Sequence, residues 1–396
     1  MFFRLAALWF VPFAAAVPQA NFGRNIPIEL TANKPYARVQ VNGRGPYWFL
    51  LDSGASFNVL DKDRATALGI SASGRRQESG AGEGTLTSGV ANGVTLALSG
   101  LSIPSREIRV LAVNAAISQA EGRIVDGLLG YDLFKQFVVE IDYWKGIVNL
   151  YEPRSYAYSG DGERIPLRVL REHALVTATL ILSDGRRVPG DFIVDTGWRS
   201  ALTLNGPFSK VQRILASLDK TIDAATGMGL GGPTKDTLGR INSLKLGRYL
   251  MSHPVTGLSK AQAGVSSEDG FAGIIGAEVL RRFKVVFDYS RKQMILEPNA
   301  NFSEPYEFDM SGMFVMTDAE RFDLIQVREV LQASPAFDAG IRPGDVIAAV
   351  DDRPAAQLGL DRVRRMFKER EGKEYLLRVR RGDRSLQFKI QLRRLI

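Results

Sequence analysis

Residues 48–56 read WFLLDSGAS, and residues 191–200 repeat the pattern as DFIVDTGWRS. In each copy, three apolar residues typical of a buried strand lead into a carboxylate, a small hydroxyl residue and a glycine. A carboxylate that directly follows a buried strand is costly to desolvate unless hydrogen bonds or a shared proton compensate it. Two aspartates in the same position, Asp52 and Asp195, therefore indicate a pair of acids that act together.

The two copies belong to a longer internal repeat. A single Asp-Ser/Thr-Gly sequence is more often a strand-ending turn than a site, because all of these residues favour turns. Here, however, residues 79–84 (SGAGEG) recur as residues 226–231 (TGMGLG), and residues 127–130 (GLLG) recur as residues 273–276 (GIIG). The same landmarks in the same order predict a duplicated lobe.

The length of 396 residues exceeds one ordinary core, so we expect more than one domain. The pattern predicts a signal peptide at residues 1–20, an N-terminal lobe at 26–155, a C-terminal lobe at 163–299 and a further domain at 310–396.

The first residues are typical of an export signal. Arg4 supplies a positive charge, residues 5–16 are apolar, and residues 14–16 (AAA) offer a cleavage site of small residues. An uncleaved anchor is the alternative, although the run is short for a bilayer span. No other segment is apolar for long enough to cross a membrane, so we expect an exported chain, periplasmic or secreted, with no membrane span after cleavage.

Composition excludes several kinds of chemistry. The chain has no cysteine, which excludes a thiol nucleophile, disulfides and Cys-ligated metals. Its two histidines, His173 and His253, lack ligand spacing, so we expect surface or loop histidines and no metal site or cofactor. The net charge of +8 comes from basic residues interleaved with acids, without a nucleic-acid motif, so we expect no nucleic-acid partner.

The repeated elements carry a family resemblance. A strand ending in Asp-Ser/Thr-Gly, a glycine-tipped hairpin and an apolar-apolar-glycine segment, found twice between residues 26 and 298, resemble a lobe of the retropepsin-like aspartic proteases. The resemblance implies a mainly β, bilobal fold in which two β-barrel lobes each supply one carboxylate to a single cleft. It also implies that the glycine-tipped hairpins are mobile flaps over a polypeptide substrate.

The resemblance assigns the site residues. Catalysis goes to Asp52 and Asp195, support of this pair to Ser53, Gly54, Thr196 and Gly197, and the flaps to Gly80, Gly82, Gly227 and Gly229. Two carboxylates within hydrogen-bonding distance share one proton, because both cannot ionise cheaply. One can then act as base toward a water while the other polarises a peptide carbonyl.

The second copy departs from the pattern after its glycine. The first has Ala55-Ser56, whereas the second has Trp198-Arg199-Ser200. An inward-pointing Arg199 would lower the pKa of the carboxyl pair, an outward-pointing one would not, and Ser200 could replace the missing hydroxyl.

The C-terminal segment resembles a PDZ domain of the type found in exported bacterial proteases. The resemblance rests on residues 334–340 (SPAFDAG) and on residues 341–347 (IRPGDVI), and it implies an α+β domain that binds an extended peptide or a C-terminus as an added strand. Gly312, Met313 and Phe314 resemble the carboxylate-binding loop, with Gly312 leaving backbone amides free. A glycine turn before an ordinary strand explains these residues equally well.

Three functional hypotheses follow. The first, favoured because both Asp turns and both glycine-rich tips are present, is an aspartic endopeptidase whose PDZ domain recruits substrate or senses a terminus. The second is a peptide-binding adaptor with a catalytically silent protease fold. The third is a structural module of the cell envelope in which the Asp turns are architectural.

Overall fold

The computed structural model describes residues 21–105 and 107–396, so the predicted signal peptide lies outside the described residues. Strands dominate these residues and helices are short. The predicted fold class is confirmed: the chain is mainly β, with two β-barrel lobes followed by an α+β domain.

The first lobe contains twelve strands and three helices. The strands are β1 (Asn21–Thr31), β2 (Lys34–Val41), β3 (Arg44–Leu51), β4 (Val59–Asp61), β5 (Ser73–Ser79), β6 (Thr85–Asn92), β7 (Leu96–Leu98), β8 (Leu101–Ile103), β9 (Glu107–Leu111), β10 (Gly127–Leu129), β11 (Val138–Asp142) and β12 (Ile147–Tyr151). The helices are α1 (Lys62–Ala67), α2 (Val113–Glu121) and α3 (Tyr131–Gln136).

The second lobe repeats this arrangement. Its strands are β13 (Glu163–Leu170), β14 (His173–Ile181), β15 (Arg187–Asp195), β16 (Leu202–Leu204), β17 (Ile222–Gly229), β18 (Gly232–Arg240), β19 (Ser243–Leu246), β20 (Tyr249–Ser252), β21 (Val255–Ser259), β22 (Gly273–Gly276), β23 (Phe283–Asp288) and β24 (Gln293–Pro298). Its helices are α4 (Gly206–Val211) and α5 (Ala277–Leu280), with single 3-10 turns at Leu215–Ser217, Val265–Ser267 and Tyr289–Arg291.

The strand before each aspartate is held in the same way in both lobes. In the first lobe β3 pairs in parallel with β10, placing Leu51 opposite Leu129, and in the second β15 pairs in parallel with β22, placing Val194 opposite Ile275. These side chains are buried, which explains the continuous apolar runs of the sequence, since strands covered on both faces lose the apolar–polar alternation. The pairing fixes where each strand ends, and thereby where each aspartate lies.

The lobes are joined by a shared antiparallel sheet. β11 of the first lobe pairs with β23 of the second, with Ile141 opposite Val285. β12 and β1 extend the sheet on one side, and β24 and β13 extend it on the other. One hydrophobic core runs through both lobes, so they form a single unit with the aspartate loops between them.

The C-terminal domain has its own sheet and core. Its strands are β25 (Met313–Thr317), β26 (Ile325–Val330), β27 (Val346–Val350), β28 (Arg353–Pro354), β29 (Glu374–Arg381) and β30 (Arg384–Gln391), and its helices are α6 (Pro335–Asp338) and α7 (Ala355–Met366). The sheet order is β25-β26-β27-β29-β30, with β28 beside β27. Among the described residues β25 pairs with β26 alone, and its far end lies against α2 of the first lobe, where Thr317 Oγ1 donates to the Gln119 carbonyl at 3.1 Å.

A buried arginine fastens the segment between the second lobe and this domain. The side chain of Arg282 is fully buried, and its guanidinium donates hydrogen bonds to the carbonyls of Asn301, Glu304 and Pro305. It also lies 3.7 Å from the ring centroid of Tyr306. The arginine guanidinium is planar and carries five N–H donors, so it can donate to several backbone carbonyls at once.

Within residues 21–105 and 107–396, no helix combines the length and the apolar character needed to cross a membrane.

Candidate active site

The two predicted aspartates meet between the lobes. The carboxyl groups of Asp52 and Asp195 lie beside each other, close enough for the ionisation of one to affect the pKa of the other. Asp52 also accepts a hydrogen bond from Gly54 N–H at 3.0 Å, and Asp195 accepts one from Gly197 N–H at 2.7 Å. A methyl group at Gly54 would lie 2.4 Å from the Asp195 carboxyl carbon, and one at Gly197 would lie 2.6 Å from that of Asp52. Only glycine permits this mutual approach.

The hydroxyl residues lock the two loops together. Ser53 N–H donates to Thr196 Oγ1 at 2.9 Å, and Thr196 N–H donates to Ser53 Oγ at 3.0 Å. Each hydroxyl then donates across the interface, Ser53 to the Val194 carbonyl at 2.7 Å and Thr196 to the Leu51 carbonyl at 2.6 Å. Both side chains are buried, so the four bonds form a two-fold network that fixes the distance between the aspartates.

The two carboxyl groups are electrostatically unequal. Burial raises the pKa of Asp195 well above its ordinary value, and the nearby charge of Asp52 raises it further. Burial also raises the pKa of Asp52, but the positive charge of Lys34 acts against this. Lys34 also lowers the pKa of Asp195, where its effect ranks behind those of burial and of Asp52, so the two carboxyl groups titrate as one pair in which Lys34 favours the negative charge on Asp52.

Lys34 belongs to a buried charged group that the sequence did not reveal. Its Nζ lies 2.5 Å from Glu121 Oε1, and the Tyr36 hydroxyl donates to Glu121 Oε2 at 2.8 Å. Burial alone would raise the pKa of Glu121, but Lys34 and the hydrogen bonds hold that pKa below its ordinary value. Lys34 starts an ordinary strand and Glu121 ends a helix 87 residues later, so no local pattern marks them as partners.

The two glycine-tipped hairpins, β5–β6 and β17–β18, meet at their tips. Gly82 N–H donates to the Leu230 carbonyl at 3.0 Å, and Gly84 N–H donates to the Gly231 carbonyl at 2.8 Å. The side chain of Leu230 packs against a cluster of the first lobe that includes Leu50 beside Asp52. The hairpins thus adopt a closed arrangement.

Three of the four predicted flap glycines lie at this contact. A methyl group on Gly80, Gly82 or Gly229 would come within 2.7 Å of the facing hairpin. Gly227 lies lower, next to an irregularity after Ala225 where β17 loses register with β18. Small residues are therefore required by close approach at the tips, while Gly227 has no such neighbour.

The Trp198-Arg199-Ser200 segment points away from the carboxyl pair. Trp198 Nε1–H donates to Thr203 Oγ1 at 2.9 Å. The Arg199 guanidinium donates twice to the Thr226 carbonyl at the base of the second flap, at 3.0 and 2.6 Å, and lies 5.8 Å from the ring centroid of Phe314 in the C-terminal domain. Among the described residues Ser200 makes no side-chain hydrogen bond to Asp195, so it does not take over the missing hydroxyl role.

The loop at Gly312 differs from its prediction in one respect. Its amides are not free: Gly312 N–H donates to Asp309 Oδ1 at 2.8 Å, and Met313 N–H donates to Ser311 Oγ at 3.1 Å. Asp309 also accepts from the amide and the hydroxyl of Ser311. The Asp309 carboxylate thus occupies the position in which the resemblance placed the terminal carboxylate of a bound peptide.

The structure agrees with the prediction for one histidine and differs from it for the other. His253 is exposed, as expected, whereas His173 is half-buried beside the backbone of Gly54. Burial lowers the pKa of His173, which favours the neutral form of this imidazole. Its position at the start of β14 gives no sequence signal, since only the packing of the two lobes brings it to the Gly54 loop.

Two family models match the chain. The aspartyl protease model matches residues 37–133, which include Asp52, and the PDZ model matches residues 311–392. The resemblance to aspartic proteases with a C-terminal PDZ domain is thereby confirmed. Asp195 lies outside the first match, and its likeness to Asp52 rests on the pairing and contacts described above.

The chain is also similar in part to curated proteins and to a solved structure. The chain is 27% identical over 176 residues to a probable CtpA-like serine protease of Staphylococcus haemolyticus, covering 43% of this chain and 33% of that protein. It is 38% identical over 85 residues to a probable CtpA-like serine protease of Staphylococcus aureus, covering 21% of this chain and 17% of the relative. The chain thus spans a third or less of these relatives. An aspartic proteinase from Irpex lacteus aligns with a TM-score of 0.45 and 15% identity, over 71% of this chain and 99% of that one.

Proposed function

We propose that this chain, which combines an aspartyl protease domain with a PDZ domain, is an aspartic endopeptidase that hydrolyses peptide bonds with a water activated by Asp52 and Asp195. The observation that supports this most directly is the reciprocal packing of each aspartate against the glycine of the other lobe. An architectural turn would not require two carboxyl groups to lie beside each other, since that arrangement costs stability once both ionise.

In the proposed reaction Asp52 is the base and Asp195 the acid. Asp52 accepts a proton from water as the water oxygen attacks the carbonyl carbon, and the Asp195 carboxyl group donates to the carbonyl oxygen. The tetrahedral intermediate collapses when the amide nitrogen receives the proton that Asp52 took from water and leaves as an amine, while Asp195 recovers its proton from the former carbonyl oxygen as the new carboxyl group forms. The assignment follows from Lys34, which opposes the rise of the Asp52 pKa caused by burial.

The remaining predicted residues have supporting roles in this proposal. Ser53 and Thr196 hold the two loops at a fixed distance, and Gly54 and Gly197 admit the carboxyl groups. The flap tips at Gly80, Gly82 and Gly229 separate to admit a polypeptide and then exclude water, while Gly227 allows the second flap to bend. We place the domain boundaries at residues 26–155, 163–299 and 310–396.

The relatives are named as serine proteases, but we do not propose a serine mechanism for this chain. The alignments with these relatives cover 43% of this chain or less and a third or less of the relatives, so their serine-type name describes those proteins and does not assign the chemistry of this site. The Ser53 hydroxyl donates to a backbone carbonyl and has no basic partner among the described residues, so it is not arranged as a nucleophile.

We also propose that the chain is exported and that its PDZ domain recognises a peptide. The signal at residues 1–20 would deliver the chain to the periplasm or the medium, which cell fractionation can test. The PDZ domain, with Gly312, Met313 and Phe314 at the start of β25, would recruit a peptide or a protein C-terminus.

The central experiment is cleavage of a complex peptide library from pH 3 to 8, read by mass spectrometry. We expect cuts that disappear in both Asp52→Asn and Asp195→Asn. Asp352→Asn is the matched control, since Asp352 is an exposed partner of Arg378. If folded protein makes no cuts at any pH, the proposal is wrong and the adaptor hypothesis replaces it. If cuts survive in both variants, the aspartic mechanism is wrong.

A further inference from the structure

Helix α2 of the first lobe ends against the C-terminal domain. The chain leaves this helix at Gly122, which has a φ of 66°, and the amides of Gly122 and Arg123 both donate to the Ser118 carbonyl. A methyl group on Gly122 would lie 2.9 Å from Leu360 Cβ of α7. Glycine is therefore required here both by the left-handed backbone and by the close approach of the two helices.

The C-terminal domain supplies donors to the last carbonyls of α2. The final carbonyls of a helix have no partner within the helix itself. Thr317 Oγ1 donates to the Gln119 carbonyl at 3.1 Å, and Arg364 of α7 donates to the Ala120 carbonyl at 2.6 Å. Arg364 also donates to the Val315 carbonyl at 2.6 Å, so one guanidinium joins α2 to β25. A cation at this end of a helix also interacts favourably with the helix dipole.

The same helix α7 holds the turn between β1 and β2. Asp361 Oδ1 accepts a hydrogen bond from the Ala32 amide at 3.1 Å. Ala32 has a φ of 50°, in the left-handed region that residues other than glycine seldom adopt, and such a conformation persists where the surroundings fix it. Asp361 and Arg364 are three positions apart, so both reach the first lobe from one face of α7. We call these two side chains the α7 clamp.

The two contacts of the α7 clamp lie beside the buried Lys34–Glu121 pair. Ala32 comes two residues before Lys34, and Ala120 directly precedes Glu121. Lys34 Nζ lies 2.5 Å from Glu121 Oε1, and both side chains are buried. A buried charge that loses its partner cannot turn to water, so this ion pair depends on the placement of the two segments that carry it.

The Lys34–Glu121 pair acts on the aspartates from this position. Lys34 is the influence that most strongly opposes the rise in the pKa of Asp52 caused by burial, and it also lowers the pKa of Asp195. Other titratable groups face the ion pair or the clamp from the elements packed around them: Tyr36 on β2, Arg123 after α2, Arg199 after β15, and Asp309 before β25.

We infer that Asp361 and Arg364 are positioning residues for the aspartate pair, and that the C-terminal domain is thereby a structural part of the active site. The clamp holds the β1–β2 turn and the end of α2 at the separation at which Lys34 meets Glu121. Lys34 then lies where its charge acts on Asp52. This inference rests on the proposed proteolytic function, and it concerns the docking of the domain rather than any ligand that the domain binds.

The structural part is tested by hydrogen–deuterium exchange on the full chain, which does not depend on catalysis. In Arg364→Met the end of α2 loses a donor, so peptides covering residues 113–123 should exchange at least about tenfold faster, as for the loss of one charge-assisted hydrogen bond. Peptides from the interlobe sheet at residues 283–298 should be unchanged. Arg362→Met on the same helix is the matched control, because Arg362 is exposed and lies 3.9 Å from Glu369. Unchanged exchange of residues 113–123 in Arg364→Met overturns the inference.

The catalytic part is tested by the pH dependence of kcat/KM. Displacement of Lys34 raises the pKa of Asp52, so Arg364→Met should move the acid limb to higher pH by about one unit. Asp361→Ala should move the limb in the same direction, and this second variant carries the test if Arg364→Met does not fold. Arg364→Lys keeps a charge and a donor, so it should restore most of the wild-type profile. The control Arg362→Met should retain that profile.

A comparison in a second background separates positioning from a general loss of structure. In Lys34→Met/Glu121→Gln the clamp has no ion pair to position, so adding Arg364→Met should no longer move the acid limb. A shift of equal size in both backgrounds, or no shift in folded Arg364→Met, overturns the inference. Absence of all cleavage by the wild type would instead refute the proposed function, and the exchange measurement would still decide whether α7 holds the two segments.

Discussion

Asp52 and Asp195 follow the same motif but lie in different electrostatic surroundings. Lys34 is buried on the side of the first lobe, and it opposes the effect of burial on Asp52 most strongly. The two aspartates have the same local motif because the lobe is repeated in the sequence. A single buried cation nevertheless makes their electrostatic surroundings unequal. This asymmetry can be tested without touching either aspartate.

We expect removal of the Lys34 charge to shift the pH profile. The double variant Lys34→Met/Glu121→Gln removes both charges, so no unpaired ion stays buried. Without Lys34 the pKa of Asp52 rises, and because Asp52 must be ionised, the acid limb of kcat/KM moves to higher pH. The limb set by Asp195 ionisation should move less, since Lys34 is a smaller influence on Asp195.

Measurements of unfolding free energy test the Lys34–Glu121 pair. Lys34→Met alone should cost about 3–5 kcal/mol in chemical unfolding because it leaves Glu121 buried and uncompensated. The double variant should recover much of this. An unchanged acid limb in a folded double variant would show that Lys34 does not set the Asp52 pKa.

A second carboxyl group shows how burial alone acts. Asp236 on β18 is buried, accepts a hydrogen bond from Thr226 Oγ1, and has its pKa raised from 3.8 to about 6 by burial. A raised pKa in the folded state gives stability that is present below pH 3.8 and is lost as the pH rises to about 6.

Asp236→Asn should therefore remove this pH dependence. We expect similar unfolding free energies for the variant and the wild type near pH 4, and a variant more stable by up to about 3 kcal/mol at pH 7. Urea unfolding at both pH values measures this, with the exposed Asp219→Asn as control. A wild type that is no less stable than the variant at pH 7 would contradict it.

At the scale of elements, the two flap hairpins are joined to each other by few hydrogen bonds, all of them at the tips. Their tips are joined by the backbone bonds Gly82–Leu230 and Gly84–Gly231, whereas the strands below them are paired within each lobe. The first tip is also bonded to the second lobe, by Val265 N–H to the Gly80 carbonyl at 3.1 Å and by Gln262 N–H to Glu83 Oε1 at 2.7 Å. None of these four hydrogen bonds belongs to the shared interlobe sheet. Opening at the tips is therefore the natural route into the cleft.

We expect Gly82→Ala to weaken substrate processing without unfolding the lobes. The added methyl group would lie 2.4 Å from the Gly231 carbonyl carbon, so the tips could not close as they do. Loss of the tip bonds should lower kcat/KM roughly tenfold, with an unchanged melting temperature. Gly270→Ala is the matched control, because a methyl group there has no neighbour within 4 Å. Equal activity of the two variants would rule out a tip contact in the working enzyme.

At the scale of the whole molecule, the C-terminal domain is docked onto both lobes. It has a separate hydrophobic core, but Arg364 reaches the carbonyl of Ala120 in the first lobe and Phe314 lies over Arg199 of the second. Ala120 is followed directly by Glu121, the partner of Lys34. The contacts between domains thus lie next to the groups that tune the aspartate pair.

We expect Arg282→Met to loosen this docking. The substitution leaves the carbonyls of residues 301–305 without donors, which should cost at least about 3 kcal/mol. Limited trypsin digestion should then cut near residues 299–310 faster than in the wild type. Arg321→Met is the control, since Arg321 is an exposed partner of Asp323. Equal digestion of the two variants would show that Arg282 does not hold the segment.

The sequence by itself determined the aspartate pair, the duplicated lobe and the third domain. Each of these depends on residues that are close along the chain, because an apolar run, an Asp-Ser/Thr-Gly turn or a glycine-rich tip predicts its own local structure. Repetition then implied that Asp52 and Asp195 occupy equivalent positions. The assignment of Ser53 and Thr196 to the support of this pair followed from the family resemblance.

Only the tertiary structure decided what surrounds these elements. The Lys34–Glu121 pair, the outward direction of Arg199 and the occupation of the Gly312 amide by Asp309 all depend on where side chains point after folding. Arg199 could have pointed either way from the same sequence. The physical reason is that burial and charge act through space, and residues 87 positions apart, such as Lys34 and Glu121, carry no local sign that they will meet.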